Sequence, residues 1–219
     1  MVAASGDRIA RGAAWMIGAR LADRAIGLVG TVILARVLTP ADFGLVAMAM
    51  AIIGLIELAS AFGFEMTLLR NPNPTPAQYN TVWTLNVLFG VGSGLVTALA
   101  AVPAATFYSE PRLIPVMLVL GAAWAIGNLE NIGIVDFRRT LNFAREFRFL
   151  LTRRVVGSIV TITLALATRS YWALIVGALA MRGTGLLLSY WWHPFRPKLS
   201  LSERGEVFSF SAWLFVEKL

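Results

Sequence analysis

Arg20, Asp23 and Arg24 stand in the stretch ARLADRAIG, preceded by apolar or small residues from Ala13 to Ala19 and followed by an uncharged run from Ala25 to Ala35. Offsets of three and four residues bring the three side chains near one face of a helix. Asp23 can offset one guanidinium, which leaves the other free to attract an anion. Arginine suits that role, because its planar fork binds phosphate bidentately and stays ionised when desolvated. Neither apolar flank reaches the roughly 20 residues that a crossing needs, so the charges lie inside the membrane if this segment spans it. Two readings stand: the cluster lines a polar cavity, or both arginines snorkel to the head groups.

Further charges interrupt other apolar runs. Arg182 lies midway along YWALIVGALAMRGTGLLLSYWW, far from the aromatic residues at either end. Glu57 sits in the run FGLVAMAMAIIGLIELASAFGF, and GNLENIGIVD carries Asn128, Glu130, Asn131 and Asp136. Each charge costs about 2.5–3.5 kcal/mol at the centre of an isolated crossing helix, so it persists by pairing or by facing a wet interior. Arg182 is therefore either a ligand-facing cation or half of a neutral pair with Glu130. Glu57 or Glu130 is the candidate for charge balance or ion coupling. A different pattern fills RRTLNFAREFRFLLTRR, where Arg138, Arg139, Arg145, Arg148, Arg153 and Arg154 alternate with Phe143, Phe147, Leu150 and Leu151. This predicts an amphipathic helix on the cytoplasmic leaflet that runs into the next span. Its interfacial arginines either bind anionic head groups and phosphates or act only as topology anchors.

The elements that hold these residues follow from composition. With 58% hydrophobic and 14% charged residues among 219, the chain lacks the polar exterior of a soluble domain. The fold class is all-α integral membrane. Spans are expected at about 13–38, 43–64, 79–108, 113–135, 150–168 and 171–192, making a six-helix bundle over 1–192. A cytoplasmic linker follows at 193–206, and 207–219 begins a seventh helix that stops short, as in the front part of a longer protein. Tyr171–Trp172 and Tyr190–Trp191–Trp192 form interfacial belts at the two ends of the sixth span. Gly90 and Gly94 form a GxxxG on the third, which allows close helix packing. Basic residues gather on one side of this topology: Arg8, Arg11, Arg70, the arginines of 138–154, Arg196, Lys198 and Arg204, against Arg36, Arg112 and Arg169 on the other. The amino terminus is therefore expected to be cytoplasmic. No signal peptide is read, because charges interrupt the first apolar run.

Several classes drop out. The absence of cysteine removes disulfides and thiolate sites, and the lone His193 sits in an interfacial loop, so neither a metal site nor a cofactor is expected. No nucleophile–base pair or phosphate-cradling glycine loop is present, which argues against an enzyme. The net charge of +7 is spread between apolar spans rather than over a basic face, which argues against nucleic acid.

LARVLTPADFGLVAMA (34–49), following a charged first span, resembles the signature of Wzx-type polysaccharide flippases. These are the O-antigen and exopolysaccharide exporters of the multidrug/oligosaccharidyl-lipid/polysaccharide (MOP) superfamily. SAFGFEMTLLR, TVWTLNVLFG, AATFYSEPRL, RTLNFAREF, YWALIVGAL and HPFRPKLSL are similar to later parts of that family. The resemblance implies two helical lobes around a cationic cavity, of which this chain supplies the amino-terminal one. It also implies bacterial inner-membrane localisation and translocation of an undecaprenyl-pyrophosphate-linked oligosaccharide. On that reading Arg20, Arg24 and Arg182 attract the pyrophosphate and Asp23 positions the first cluster. Expected partners are the lipid-linked oligosaccharide, membrane lipids, a carboxyl-terminal lobe, and a polysaccharide polymerase with its chain-length regulator. The alternatives are export of lipid II or small cations, or a truncated partner without transport activity.

Overall fold

Two threonine–proline pairs start two of the long helices. Thr39 precedes α2 (Pro40–Ala59) and Thr75 precedes α4 (Pro76–Phe107). The Thr39 hydroxyl accepts from the Asp42 amide at 3.3 Å, and the Asp42 carboxylate accepts from the Thr39 amide at 2.9 Å. At α4, Gln78 takes the place of Asp42 in the same reciprocal arrangement. Both are capping boxes with proline in the first helical position, where its missing N–H is not needed.

The computed structural model describes the backbone at residues 2–59, 63–205, 207 and 208, and the side chains from Trp15 onward except at 16, 17, 19 and 59. The proposed seventh helix, Val207 and Phe208 apart, and the side chains of Arg8 and Arg11 lie outside the described residues. Within them the chain is helical, without strands: α1 (Val2–Val37), α2, α3 (Glu65–Arg70), α4, α5 (Leu113–Gly127), a 3₁₀ turn (Ile132–Ile134), α6 (Val135–Arg139), α7 (Phe143–Thr168) and α8 (Trp172–Trp192).

Four stretches have the length and apolarity to cross a membrane: Pro40–Leu58, α4, α7 and α8. Leu113–Gly127 and Ile132–Arg139, bent by 66° to one another, make a fifth if the pair counts as one broken crossing. The straight span expected at 113–135 is thus broken at 128–131. Hydrogen bonds of Asn131 hold the break from inside the protein, as a helix that stops within an apolar run requires. Asn131 is fully buried; its Oδ1 accepts from the Gly133 amide at 2.9 Å and its Nδ2 donates to the Phe195 carbonyl at 2.6 Å. Helix α1 is long enough, at about 54 Å for its rise per residue. Yet Arg20, Asp23, Arg24 and Arg36 crowd its carboxyl-terminal half, so apolarity alone does not qualify it.

The amphipathic segment also differs from expectation. Arg138 and Arg139 close α6, the chain reverses at Leu141 (φ 55), and Asn142 caps a new helix by accepting from the Arg145 amide. Helix α7 then runs unbroken from Phe143 to Thr168, so the basic turns and the fifth span are one rod.

Packing proceeds as a row: α1 on α7, α7 on α8, α8 on α5, and α5 on α4 and α2. Consecutive helices α1 and α2 thus seek different partners, and α1 flanks the rest. Two glycine crossings bring the rods close. A Cβ on Gly94 would stand 2.9 Å from the Gly121 carbonyl across α4 and α5. A Cβ on Gly157 would stand 2.8 Å from the Met181 Cβ across α7 and α8. The main apolar core joins Leu45, Ile53, Leu113, Met117 and Ile175.

Candidate functional site

The flanking position of α1 opens a cleft of about 620 Å³ against α7 and α8, lined by Arg20, Asp23, Arg24, Phe147, Leu150, Leu151, Arg153, Arg154 and Met181. Two turns of α7 supply the wall. Residues 147, 150, 151 and 154 follow the i, i+3, i+4, i+7 spacing, so two aliphatic side chains, one ring and one guanidinium share a face. Asp23 answers Arg154 and Glu130 answers Arg153, so Arg20 and Arg24 leave the lining with two uncompensated positive charges. Asp23 does not pair with Arg20 or Arg24. It stands 3.0 Å from Arg154 Nε, and so ties α1 to α7. Arg20 and Arg24 are exposed, with no ion pair among the described residues. The Trp15 ring tilts against Phe147 at 5.2 Å and lies beside the same wall.

Arg182 lies apart from that cleft. It belongs to a second space of about 260 Å³, lined also by Glu65, Trp124, Glu130, Arg138, Glu146 and Arg153. Its guanidinium sits 4.3 Å from the centroid of Trp124, a cation–π contact worth about 0.5–2 kcal/mol. Its stem passes Gly127, where a Cβ would come within 2.9 Å of Arg182 Cδ. The pairing considered between Arg182 and Glu130 is not made. Glu130 pairs with Arg153 at 3.1 Å, and Arg182 feels Glu130 and Glu57 only at longer range. Gly185 of α8 gives the Glu130 carboxylate its room, since a Cβ there would collide with Oε1. Arg153 and Leu150 border both spaces. Glu57, on α2, has no ion pair among the described residues.

The interfacial arginines divide into two kinds. Arg138 reaches Glu146 at 3.0 Å and Glu65 at 3.5 Å, and Arg139 reaches Asp136 at 3.1 Å. Arg145 and Arg148 have no carboxylate partner among the described residues; Arg145 lies over Phe137 at 6.0 Å.

One network escapes the sequence altogether. The Tyr79 hydroxyl donates to Asp136 and accepts from Arg139, and His193 Nε2 stands 3.4 Å from Asp136 Oδ2. Gly133 leaves the space the imidazole fills. Burial pushes the His193 imidazole below its usual pKa, outweighing the opposite pull of Asp136. These residues come from three separated stretches, and no local spacing announces them. After His193 the chain passes over the start of α4 without helix or strand as far as Leu201. Lys198, Ser200 and Glu203 donate their amides to the side chains of Asn80, Thr84 and Thr81 at 2.9, 3.0 and 3.3 Å.

Several apolar helices, a broken one, and charges held between them define a multi-pass membrane protein. Residues 33–219 match the family described as "Polysaccharide biosynthesis protein", and the chain belongs to that family. It is similar to "Succinoglycan biosynthesis transport protein ExoT" of Rhizobium meliloti (strain 1021), with 20% identity over 167 residues, 76% of this chain and 34% of that protein. It is also similar to "Lipopolysaccharide biosynthesis protein WzxC" of Escherichia coli (strain K12), with 23% identity over 223 residues, 97% of this chain and 44% of that protein. The chain thus spans less than half the length of these curated relatives. No solved structure matches. The family and the relatives agree with the resemblance to Wzx-type flippases.

Proposed function

We propose that this chain forms the amino-terminal lobe of a flippase that moves undecaprenyl-pyrophosphate-linked oligosaccharide across the bacterial inner membrane, without catalysing bond chemistry. The carrying observation is the cleft between α1 and α7, where Arg20, Arg24, Arg153 and Arg154 surround one aspartate. An excess of two positive charges suits a pyrophosphate and disfavours a small cation. The apolar wall of Phe147, Leu150, Leu151 and Met181 suits the lipid end of the same molecule. On this reading α1 crosses the membrane with its charges turned into the cleft, α5 and α6 form one broken crossing, and the total is six with the amino terminus cytoplasmic. Arg182 is a second cation deeper in the lobe, and Glu57 and Glu130 balance it or couple an ion. A second lobe closes the cavity, and transport is rocking of one lobe against the other. Polymerase and chain-length regulator receive the product.

The experiment is leaflet translocation of the lipid-linked repeat by a full-length protein carrying Arg20→Ala with Arg24→Ala, and separately Arg182→Ala. The expected result is a loss of at least about tenfold for the cleft pair, whose charges are unpaired. Undiminished export in both variants overturns the reading.

A further inference from the structure

Helix α7 carries three working faces, and the reading above uses only two. At 100° per residue, Phe147, Leu151 and Arg154 face α1, while Glu146, Phe149 and Arg153 face the buried charge cluster. Arg148 and Arg145 lie about 90° and 150° round the helix from the first face. There they meet Trp192 at the end of α8 around a separate pocket of about 260 Å³.

We propose that this pocket binds the head group of an anionic phospholipid. Three observations converge. Arg145 and Arg148, three residues apart, are the two arginines of the 138–154 stretch without a carboxylate partner among the described residues, whereas Arg138, Arg139, Arg153 and Arg154 are all ion-paired. Their guanidinium groups are positioned: Arg145 lies over Phe137, and Arg148 Nε donates to the Ala144 carbonyl at 3.3 Å, leaving its terminal nitrogens available. Finally, Trp192 closes the pocket with its ring set edge-on to Phe149 at 6.1 Å. It belongs to the aromatic end of α8, which marks head-group depth. Paired donors beside an interfacial tryptophan, in a pocket between two crossing helices, match a phosphodiester with its glycerol at the interface. A zwitterionic lipid gains less there, because its own cation opposes the two arginines.

The test is native mass spectrometry of the full 219-residue chain in detergent, titrated in turn with phosphatidylglycerol, phosphatidylcholine and inorganic phosphate. Phosphatidylglycerol is expected to be retained about tenfold better than phosphatidylcholine. Arg145→Gln with Arg148→Gln should abolish that preference, and Arg145→Lys with Arg148→Lys should keep part of it. Arg36→Gln with Arg169→Gln, at the opposite ends of α1 and α7, should leave it intact, which separates this site from a general loss of positive charge. Equal retention of the two lipids, or unchanged preference in the glutamine pair, overturns the proposal. Displacement of the lipid by millimolar inorganic phosphate also overturns it, in favour of a free-anion site.

Discussion

Asp23 Oδ1 stands 3.0 Å from Arg154 Nε, joining α1 to α7 beside the basic cleft. The pair is too exposed to add much stability, about 0–1 kcal/mol. Its effect is on position, since it sets where Arg20 and Arg24 face α7. Charge reversal at Asp23→Arg should depress export by about tenfold or more while thermal stability changes little. Combining it with Arg154→Asp should recover part of the loss. Translocation assays on the three variants check this, and no recovery in the double variant would count against the pairing.

Packing at Gly185 gives a second prediction. Gly185→Ala places a methyl group against the Glu130 carboxylate, strains its pair with Arg153, and should destabilise the protein by about 1–3 kcal/mol. Gly54→Ala, on an open face of α2 with nothing within 4 Å, should be neutral or mildly stabilising. Thermal melts in one detergent compare the two directly.

The helix caps give a third. Thr75→Ala removes the acceptor for the Gln78 amide and should cost about 1 kcal/mol, with Thr75→Ser retaining most of it. A lowered melting temperature for alanine but not serine is the expected pattern.

The histidine network predicts a pH dependence. A half-buried His193 with a depressed pKa binds fewer protons folded than unfolded. Its contribution is therefore intact above the ordinary histidine value of about 6.5 and is lost as pH falls below it. Melting temperature should drop between about pH 7 and pH 5 more in the native chain than in His193→Gln. Equal pH profiles would remove His193 from the account.

What was legible in the sequence was whatever rests on local pattern. The apolar runs that became α2, α4 and α8, the belt residues of α8 and the glycines of α4 could all be read from composition and spacing. Arg20, Asp23 and Arg24 declared themselves by standing in an apolar run. Their real companions, Arg153 and Arg154, were visible only as interfacial basic residues, because facing α1 is a tertiary fact. The Asp23 contact likewise went to a residue far along the chain rather than to its helical neighbours. The break after Gly127 was written in GNLENIG, but an amide-rich stretch in an apolar run reads equally as polar lining. Only the partners of Asn131, from Ser189 to Phe195, show why the helix can stop there. The capping boxes had a full local signal in TPAD and TPAQ, which reads first as loop punctuation.

The segment after His193 has a mechanical consequence. Its amides at 198, 200 and 203 are hooked onto the first turns of α4, and Val207 beyond them is fully buried. A stretch fastened at such short intervals has no slack to absorb displacement. Force arriving from the carboxyl-terminal side would be delivered at Asn80, Thr81 and Thr84, one helix turn from the Tyr79 hydroxyl, instead of being dissipated in a hinge.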